Sequence, residues 1–575
     1  MVAATGEKSC AAIVRPATDP KFGDYQVNGI MALAKKFKAN PRQLAEKVLS
    51  NLDISDICEK PEIAGPGFIN LKIKPSFVAG AILTINSDSS DRLGTEKTSK
   101  PKRIVVDFSG PNIAKQMHVG HLRSTIIGDC ICRLLEFQGH TVIRQNHIGD
   151  WGTQFGILIA YQSFKNLPAA LAGVLCGNIP QHSIHDLEEY YKSAQELYAS
   201  NSSFAQLGRK CVVSFQKGDP KVIKLWGEIV ELSRREIYPI YEKLNVVLRK
   251  EDERGESFYK DMLADVVAEL KKKGLAVESE GAMCVFPPGF KDKEGKPLPL
   301  IVQKSDGAYL YATTDLAAIR YRVDKLKADK IIYVTDARQS LHFQMVFAVA
   351  KMAGWVSENV ELAHVTFGSV LGEDGKPFKT REGENVKLAD LLDEAKEKAE
   401  TIVNEKNPDL PVEQKRRIAE VVGIGAVKYA DYTNNRTSDY VFSFDKMLAM
   451  DGNTAPYMQY AYARVQSIDR KAQERGINIT TAAINLTEPA ELDLAKHLVR
   501  YGEAIESAKV DYRPNYLTSY LYELAQKFSV FYTNCPVLNA SEEKRYTRWL
   551  LCDLTAKTIK HGLKELLGIE VVEQM

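Results

Sequence analysis

The stretch FSGPNIAKQMHVGHLRST, residues 108–125, decides the fold of this chain. It follows RIVVDF at 103–108, a nearly continuous apolar run that predicts a buried strand. Apolar residues then recur at helical spacing from His118 to Gly139, and TVIRQ at 141–145 predicts a second strand. This order of strand, helix and strand is typical of a βαβ unit in a parallel sheet.

Two histidines, His118 and His121, stand where the turn after the first strand gives way to the helix. Free N–H groups and the helix dipole favour anions at such a position, so we expect phosphate to bind there. Gly120 leaves room beside the backbone for a base or a ribose, and Lys115 adds a cation on the same turn. Each residue alone is better explained by capping or tight packing, but the eleven-residue context after a strand favours a nucleotide site.

Two further patterns extend this unit into a larger architecture. DKIIYVTD at 329–336 predicts another strand followed by a helix, so strands alternate with helices on both sides of a long middle stretch. Because connections in such sheets are short, we expect a Rossmann-like parallel sheet split by an insertion at about 150–299. From residue 388 onward the apolar spacing is almost entirely helical and predicts a C-terminal helical bundle.

The N-terminal end predicts a separate small α+β domain. Amphipathic stretches at 28–37 and 41–52 precede an alternating strand pattern at 69–73, and the polar, Ser-rich residues 86–102 are typical of a linker. We therefore predict a multidomain α/β plus all-α protein with three domains: a small N-terminal α+β domain at 1–88, a Rossmann-like domain at 102–385, and a helical domain at 386–575.

Composition narrows the class of protein. The net charge is only +2, from 76 basic and 74 acidic residues, so any contact with RNA must come from local patches. Nine cysteines without a CxxC pair indicate reduced intracellular thiols and no structural zinc, and we expect no protein-bound metal. The N-terminus does not resemble a secretory signal and no apolar run is long enough for a bilayer, so we expect a cytoplasmic enzyme with no membrane partner.

The motif PNIAKQMHVGH at 111–121 resembles the signature of class I aminoacyl-tRNA synthetases, in the lysine-containing form of the arginyl-tRNA synthetases. FGDYQVNGIMALAKK, AGPGFIN, GDWGTQFG, NTAPYMQYAYARV and LGIEVVEQM extend the resemblance to the bacterial enzymes over nearly the whole chain. The resemblance implies a class I catalytic domain that activates L-arginine with ATP. It also implies transfer of arginine from the adenylate to the 3′-terminal adenosine of arginine tRNA.

The resemblance implies an ATP site in which the two histidines stabilise the charge that develops on the α-phosphate. The implied motif residues are Pro111, Asn112, Ala114, Lys115, His118, Val119, Gly120 and His121. The second class I signature is degenerate here and corresponds to residues 375–383, where Lys379 and Arg381 are candidates to reach the pyrophosphate. The alternative is that residues 375–383 form only a solvated basic loop. The resemblance also implies that Lys115 compensates for the missing lysine of the second signature, so the sequence leaves open which cation acts. We expect Mg²⁺ to arrive with ATP and no tightly bound cofactor.

Selecting arginine calls for carboxylates, because a planar acid matches the forked donors of a guanidinium. The resemblance assigns this task to Asp107 and Asp315, with Tyr311 closing the pocket and Asn112 and Gln339 binding the amino and carboxylate ends of the substrate. The alternatives are a turn or cap role for Asp107 and a helix N-cap for Asp315.

For tRNA, helical spacing in PYMQYAYAR at 456–464 predicts that Tyr457, Tyr460 and Arg464 share one face, where aromatic rings can stack on anticodon bases. An ordinary bundle core is the alternative. By resemblance, the N-terminal domain meets the corner of the tRNA, the insertion binds its acceptor end, and the protein is a monomer.

Two other functions compete with this hypothesis. One is another adenylyl-transferring enzyme of the same superfold, such as a different class I synthetase or a pantothenate-synthetase-like ligase. The other is a catalytically silent tRNA-binding paralogue. The presence of both histidines together with Lys115 and Asp315 argues against the silent paralogue.

Overall fold

The computed structural model describes residues 1–6, 8, 10–165, 184–378 and 386–575. Two compact units emerge from its internal contacts, one formed by 1–95, 465–503 and 523–558 and the other by 96–464, 504–522 and 559–575. Within the described ranges, none of the helices combines the length and apolar character needed to cross a bilayer.

The first unit contains the predicted N-terminal α+β fold. Its elements are α1 (Val2–Thr5), β1 (Val14–Pro16), β2 (Tyr25–Val27), α2 (Gly29–Phe37), α3 (Pro41–Leu49), β3 (Glu62–Ala64), β4 (Phe68–Leu71) and α4 (Pro75–Ser87). The strands form an antiparallel sheet in the order β1-β2-β4-β3. Ile30, Leu44 and Ile69 are buried in a core between this sheet and α2 and α3. The two predicted helices and the predicted strand are confirmed, with the strand shifted to Phe68–Leu71.

The second unit contains the predicted parallel sheet. Its elements are β5 (Arg103–Asp107), α5 (Val119–Phe137) and β6 (Thr141–Gln145), and later in the chain α12 (Tyr311–Asp324), β10 (Lys330–Asp336), α13 (Ser340–Met352) and β11 (Glu361–Phe367). The strand order is β11-β10-β5-β6, and all three pairings are parallel. Ile104, Val105 and Val106 are almost completely buried, as expected for a strand covered on both faces.

A long segment separates the two halves of this sheet, as predicted. It contains α6 (Thr153–Lys165), α7 (Ile184–Ser200), α8 (Ser202–Gln216), α9 (Pro220–Lys243), α10 (Glu256–Tyr259), α11 (Leu263–Lys272), β7 (Ala276–Ser279), β8 (Ala282–Val285) and β9 (Leu300–Gln303). The three strands form a separate antiparallel sheet in the order β7-β8-β9. Because β9 begins at Leu300, the inserted segment continues beyond its predicted end at about residue 299.

The remaining elements are almost all helical, as the spacing predicts. A short parallel pair, β12 (Val370–Leu371) and β13 (Tyr440–Val441), encloses α14 (Leu388–Lys406) and α15 (Val412–Thr433) along the chain. The others are α16 (Phe444–Met447), α17 (Ala455–Glu474), α18 (Pro489–Val499), α19 (Tyr501–Val510), α20 (Pro514–Asn534) and α21 (Glu542–Lys560).

The topology of the parallel sheet fixes where a site can form. From β5 the chain crosses to β6 on one side, whereas β10 and β11 lie on the other side. The crossovers therefore leave a crevice at the carboxyl ends of β5 and β10, the position where open α/β sheets bind ligands. Gly128 brings α5 close to this edge, because a Cβ atom there would lie 2.3 Å from Cβ of Phe108.

Candidate active site

A cleft of about 500 Å³ opens at the carboxyl ends of β5 and β10. Its lining includes eight of the residues predicted for nucleotide or arginine binding: Asp107, Asn112, His118, Gly120, His121, Tyr311, Asp315 and Gln339. They come from β5, from the turn and start of α5, from α12 and from the segment after β10. The fold thus gathers residues from both halves of the split sheet at one place.

Among the other residues predicted for nucleotide binding, Pro111, Ala114, Lys115 and Val119 lie in the described part of the chain and are not in this lining. Pro111, Ala114 and Val119 are buried in and beside the turn, where they support its backbone. The side chain of Lys115 is described below. Lys379 and Arg381 lie outside the described residues.

The turn between β5 and α5 has an unusual backbone. Ser109, Gly110 and Ala114 have positive φ angles of 73°, 55° and 65°. The N–H of Ala114 donates to Oγ of Ser233 in α9 at 3.0 Å, so the middle segment supports the turn. A Cβ atom at Gly149 would lie 2.2 Å from Oδ1 of Asn112, so a larger residue there would displace the Asn112 side chain.

His118 and His121 cap the helix that they begin. The N–H of His118 donates to Nδ1 of His121 at 3.1 Å, and the N–H of Gly120 donates to Nδ1 of His118 at 3.1 Å. Because Nδ1 of each ring accepts a hydrogen bond, it carries no proton, and the proton of each ring is on Nε2. The capping bonds thereby make each Nε2 a hydrogen-bond donor. The two rings stand 4.0 Å apart.

His121 stays neutral. Burial, with a contribution from the neighbouring His118 ring, lowers the pKa of His121 to about 3. A Cβ atom at Gly120 would lie 2.7 Å from Cε1 of His118. The glycine between the histidines is therefore required by the His118 ring itself, in addition to any nucleotide.

The ammonium group of Lys115 lies 5.2 Å from the centre of the Tyr191 ring in α7. This cation–π contact holds it outside the lining of the cleft. Lys115, which the sequence predicts as a cation beside the histidines, thus contacts Tyr191 of the inserted segment.

Asp107 is paired within the protein. Its Oδ2 accepts from Nη2 of Arg322 at 2.6 Å, and Nε of the same arginine donates to Oε1 of Gln145 at 2.6 Å. The Arg322 side chain is completely buried. Asp107 therefore forms the floor of the cleft, and the buried guanidinium of Arg322 balances its negative charge. Sequence reasoning missed Arg322, although an arginine on the apolar face of α12 was a signal for a buried partner.

Asp315 also has a partner from the chain. Its Oδ2 lies 2.6 Å from Nε2 of His342 in the first turn of α13. The N-cap of α12 is Leu310, so Asp315 is not a helix cap. Tyr311 begins α12 and has 69% of its surface exposed at the mouth of the cleft.

A further carboxylate, missed by sequence reasoning, faces the same cleft. Glu256 lies at the start of α10, and burial together with the nearby charges of Asp150 and Asp315 raises its pKa to about 8. Asp150 accepts bonds from the N–H and the hydroxyl of Ser257 at 2.9 and 2.6 Å. No spacing in the sequence links Glu256 to the motif, because only the folded middle segment brings it there.

The described lining of the cleft contains more acidic than basic side chains. Four carboxylates, those of Asp107, Glu256, Asp315 and Asp336, face one guanidinium, that of Arg338. Arg338 is itself bound to Asp336 through Nε and Nη2 at 2.9 and 2.7 Å. Such a surface suits a cationic ligand, whereas a polyphosphate needs accompanying cations.

The chain returns to the histidines after the segment that would carry the second signature. The N–H of Val119 donates to the carbonyl of Val386 at 3.0 Å, and the N–H of Leu388 donates to the carbonyl of Met117 at 2.9 Å. A single antiparallel bridge pairs His118 with Lys387 between these bonds. The start of α14 is thus attached to the start of α5.

The three residues predicted for tRNA contact lie on α17. Tyr460 is exposed, whereas Tyr457 is half-buried against Tyr522 at 5.8 Å between ring centres, and Arg464 is half-buried. The opposite face of the helix, with Met458 among others, is buried.

Three family models match this chain. The model for "tRNA synthetases class I (R), catalytic domain" matches residues 85–444. The "Arginyl tRNA synthetase N terminal domain" matches residues 2–73, and the "DALR anticodon binding domain" matches residues 458–575.

Known proteins resemble the chain over nearly its whole length. The arginine–tRNA ligase of a Synechococcus species is 51% identical over 97% of this chain and 94% of that protein, and that of Escherichia coli is 50% identical over 100% and 98%. The crystal structure of arginyl-tRNA synthetase from Plasmodium falciparum has a TM-score of 0.83 at 31% identity and covers 100% of this chain and 97% of its own. The arginyl-tRNA synthetase of Thermus thermophilus shares the fold, with a TM-score of 0.80 at 24% identity over 98% and 96%. One family model spans more than half of the chain and close relatives cover it almost entirely, so the chain belongs to the arginyl-tRNA synthetases of class I.

Proposed function

We propose that this synthetase forms arginyl-adenylate in the cleft at the carboxyl ends of β5 and β10, and that its tRNA then takes the arginyl group at the 3′-terminal adenosine. One observation carries the proposal. Two capped histidines and the carboxylates of Asp315 and Glu256 line the same cleft, so donors for a phosphate face acceptors for a guanidinium.

ATP binds by the turn and the start of α5 in this proposal. The Nε2 groups of His118 and His121 donate to the α-phosphate as the arginine carboxylate attacks it, so they stabilise charge and transfer no proton. The motif residues Pro111, Asn112, Ala114, Lys115, Val119 and Gly120 shape this site. The candidate cations for the departing pyrophosphate are Lys379, Arg381 and Lys115, which must leave the Tyr191 ring to reach it, and Mg²⁺ enters with ATP, held by its phosphates.

Arginine binds at the other end of the cleft. The sequence predicts that Asp107 and Asp315 take the guanidinium. Because Arg322 already pairs with Asp107, we assign the direct contacts to Asp315 and Glu256, with Asp107 as the floor beneath them. Tyr311 covers the side chain, while Asn112 and Gln339 bind the amino and carboxylate ends. The site rejects lysine because an ammonium group lacks the planar pairs of donors that match the carboxylates, so part of their hydrogen bonding would remain unsatisfied.

The remaining assignments follow from the family. Residues 1–88 form an N-terminal tRNA-binding domain, 102–385 the catalytic domain with its insertion at about 150–299, and 386–575 the anticodon-binding domain. Tyr457, Tyr460 and Arg464 on α17 contact the anticodon, which the exposure of Tyr460 supports. The enzyme acts as a monomer in the cytoplasm.

Charging of total tRNA with each amino acid in turn tests this function, together with arginine-dependent pyrophosphate exchange measured with and without tRNA. We expect arginine alone to be charged, and exchange to require tRNA as in the family. Exchange driven by a different amino acid would favour another class I synthetase. No exchange under either condition would favour a silent tRNA-binding paralogue.

A further inference from the structure

His342 contacts an acid that we assign to arginine recognition. It is the third residue of α13, and its Nε2 lies 2.6 Å from Oδ2 of Asp315 in the second turn of α12. Both side chains line the cleft and are mostly buried, with 32% and 16% of their surfaces exposed. The edge of the imidazole stands against the ring of Phe343 at 5.3 Å between centres.

We propose that His342 is a positioning residue that fixes the carboxylate plane of Asp315 for the guanidinium of arginine. The inference rests on the proposed role of Asp315 in binding arginine. His342 itself does not touch the reacting atoms.

The geometry explains how one bond can do this. The χ2 torsion of an aspartate is soft, so an unsupported carboxylate turns about its Cβ–Cγ bond at little cost. The bond from His342 to Oδ2 removes this freedom and leaves Oδ1 for the ligand. A guanidinium presents its N–H donors in one plane, so its binding depends on the plane of the carboxylate. An ammonium group has no such plane, so its binding is less sensitive to rotation of the carboxylate about the Cβ–Cγ bond.

A second acid of the cleft, Asp107, is held in the same way. Asp107 is bound from below by Arg322, also at 2.6 Å. Two acids that face one cleft are thus each held by a donor from a different element. This repetition is what a preorganised binding site requires, because each rotation prevented before binding lowers the entropic cost of binding.

A competing role for His342 is proton transfer. Formation of the adenylate needs no proton acceptor, but attack by the tRNA hydroxyl releases a proton. A general base would affect the transfer step and leave arginine binding unchanged. A positioning residue would affect arginine binding in the activation step already, so the two roles separate by the step that each one changes.

The test compares His342→Ala, His342→Gln and Asp315→Asn with the wild type in arginine-dependent pyrophosphate exchange in the presence of tRNA and in the rate of arginine transfer to that tRNA. Gln carries an N–H donor that can reach a position close to that of Nε2, so it serves as the conservative replacement. The matched control is His140→Ala, because His140 is also half-buried and its Nδ1 accepts the N–H of Lys102 beyond the end of α5. The KM values for arginine and ATP, kcat and the preference for arginine over lysine are measured for each variant.

We expect His342→Ala to raise the KM for arginine roughly tenfold, the effect of one charge-assisted bond, and to change the KM for ATP less than twofold. The preference for arginine over lysine should fall, His342→Gln should recover most of both losses, and His140→Ala should behave as the wild type. An unchanged KM for arginine with slow transfer would overturn the inference in favour of a general base. Equal losses in His342→Ala and His342→Gln, with a lowered melting temperature, would overturn it in favour of a purely structural role.

The experiment also separates this inference from the proposed function. A wild type without arginine-dependent exchange would remove the function itself. A normal KM for arginine in Asp315→Asn would remove the assignment of Asp315. An altered KM in Asp315→Asn together with a normal KM in His342→Ala would overturn only the role of His342.

Discussion

In each histidine at the start of α5, the two ring nitrogens have different roles. Nδ1 of each ring accepts a backbone N–H, and this leaves Nε2 to donate toward the cleft. Folding therefore sets the tautomer that a developing negative charge requires, so no proton has to be redistributed when ATP binds.

Replacing His121 by alanine should lower kcat for pyrophosphate exchange about 10²–10³-fold, the usual effect of losing one donor aimed at developing charge. The KM for ATP should change little. His121→Asn is the control for folding, because its amide oxygen can still cap the helix. A rise in the KM for ATP with normal kcat would contradict the assigned role.

Glu256 should make arginine binding depend on pH. Because its pKa is raised to about 8 by burial and by the charges of Asp150 and Asp315, it is mostly protonated near pH 6 and must ionise to pair with a guanidinium. We expect the KM for arginine to fall as pH rises from about 6 to about 8.5, and the KM of Glu256→Gln to be higher and nearly flat over this range.

The stability of the same variant gives an independent control. A carboxyl group with a raised pKa weakens the fold above its ordinary pKa of 4.5, and the penalty is complete above about 8. Glu256→Gln should therefore melt at a higher temperature than the wild type near pH 8.5 and at a similar temperature near pH 4. A lower melting temperature at the higher pH would contradict the assigned pKa.

At this scale the sequence predicts local placement well, because the turn, the two histidines and the helix start are consecutive residues. The capped histidines and Gly120 follow from a motif of eleven residues placed between a strand and a helix. The partners of the acids were missed because they are distant in sequence. Arg322 and Asp107 are separated by 215 positions, and no local pattern encodes a pairing over that distance.

At the scale of elements, Arg322 joins α12 to two strands of the parallel sheet. It binds Asp107 at the end of β5 and Gln145 at the end of β6, and it is fully buried. Replacing it by methionine would leave the Asp107 carboxylate buried without its cation. We expect the free energy of unfolding to fall by about 3–5 kcal/mol, measured by urea denaturation.

The double variant Asp107→Asn with Arg322→Met provides the control for this prediction. It also removes the charge that the single replacement leaves unpaired, so it should recover part of the lost stability. If the double variant is no more stable than Arg322→Met alone, the loss comes from packing and the ion pair is not its cause.

The elements that sequence reasoning found are those with strong periodicity. β5 is a short, buried apolar run and β6 is a half-buried strand at the edge of the sheet, and the predicted bounds of both agree with the structure to within one residue. The two-residue strands β12 and β13 were not predicted, because two residues show no alternation. The antiparallel sheet inside the insertion was missed for a related reason, since its strands are four residues long and joined by polar turns.

At the scale of the whole molecule, Lys428 joins segments that are far apart in the chain. Its Nζ, fully buried in α15, donates to the carbonyl of Leu244 at the end of α9 and to that of Gly568 near the C-terminus, the latter at 2.8 Å. Burial, partly offset by Asp129, lowers the pKa of Lys428 from 10.5 to about 7.

This pKa predicts how stability changes with pH. The folded protein binds the Lys428 proton less tightly than the unfolded chain, so charging the buried amine weakens the fold, and this penalty disappears as pH rises from about 7 to 10.5. In thermal melts, the melting temperature of the wild type should therefore exceed that of Lys428→Met by more near pH 9 than near pH 7. A difference in melting temperature that shrinks with rising pH would contradict the prediction.

The bonds that Val386 and Leu388 make with the backbone around His118 have a mechanical consequence. The first residue of α14 and the peptide that presents the imidazoles are parts of one short backbone ladder. Sliding α14 along its axis must either break that ladder or carry the imidazoles with it. A displacement of α14 is therefore transmitted through main-chain hydrogen bonds to the backbone that carries His118.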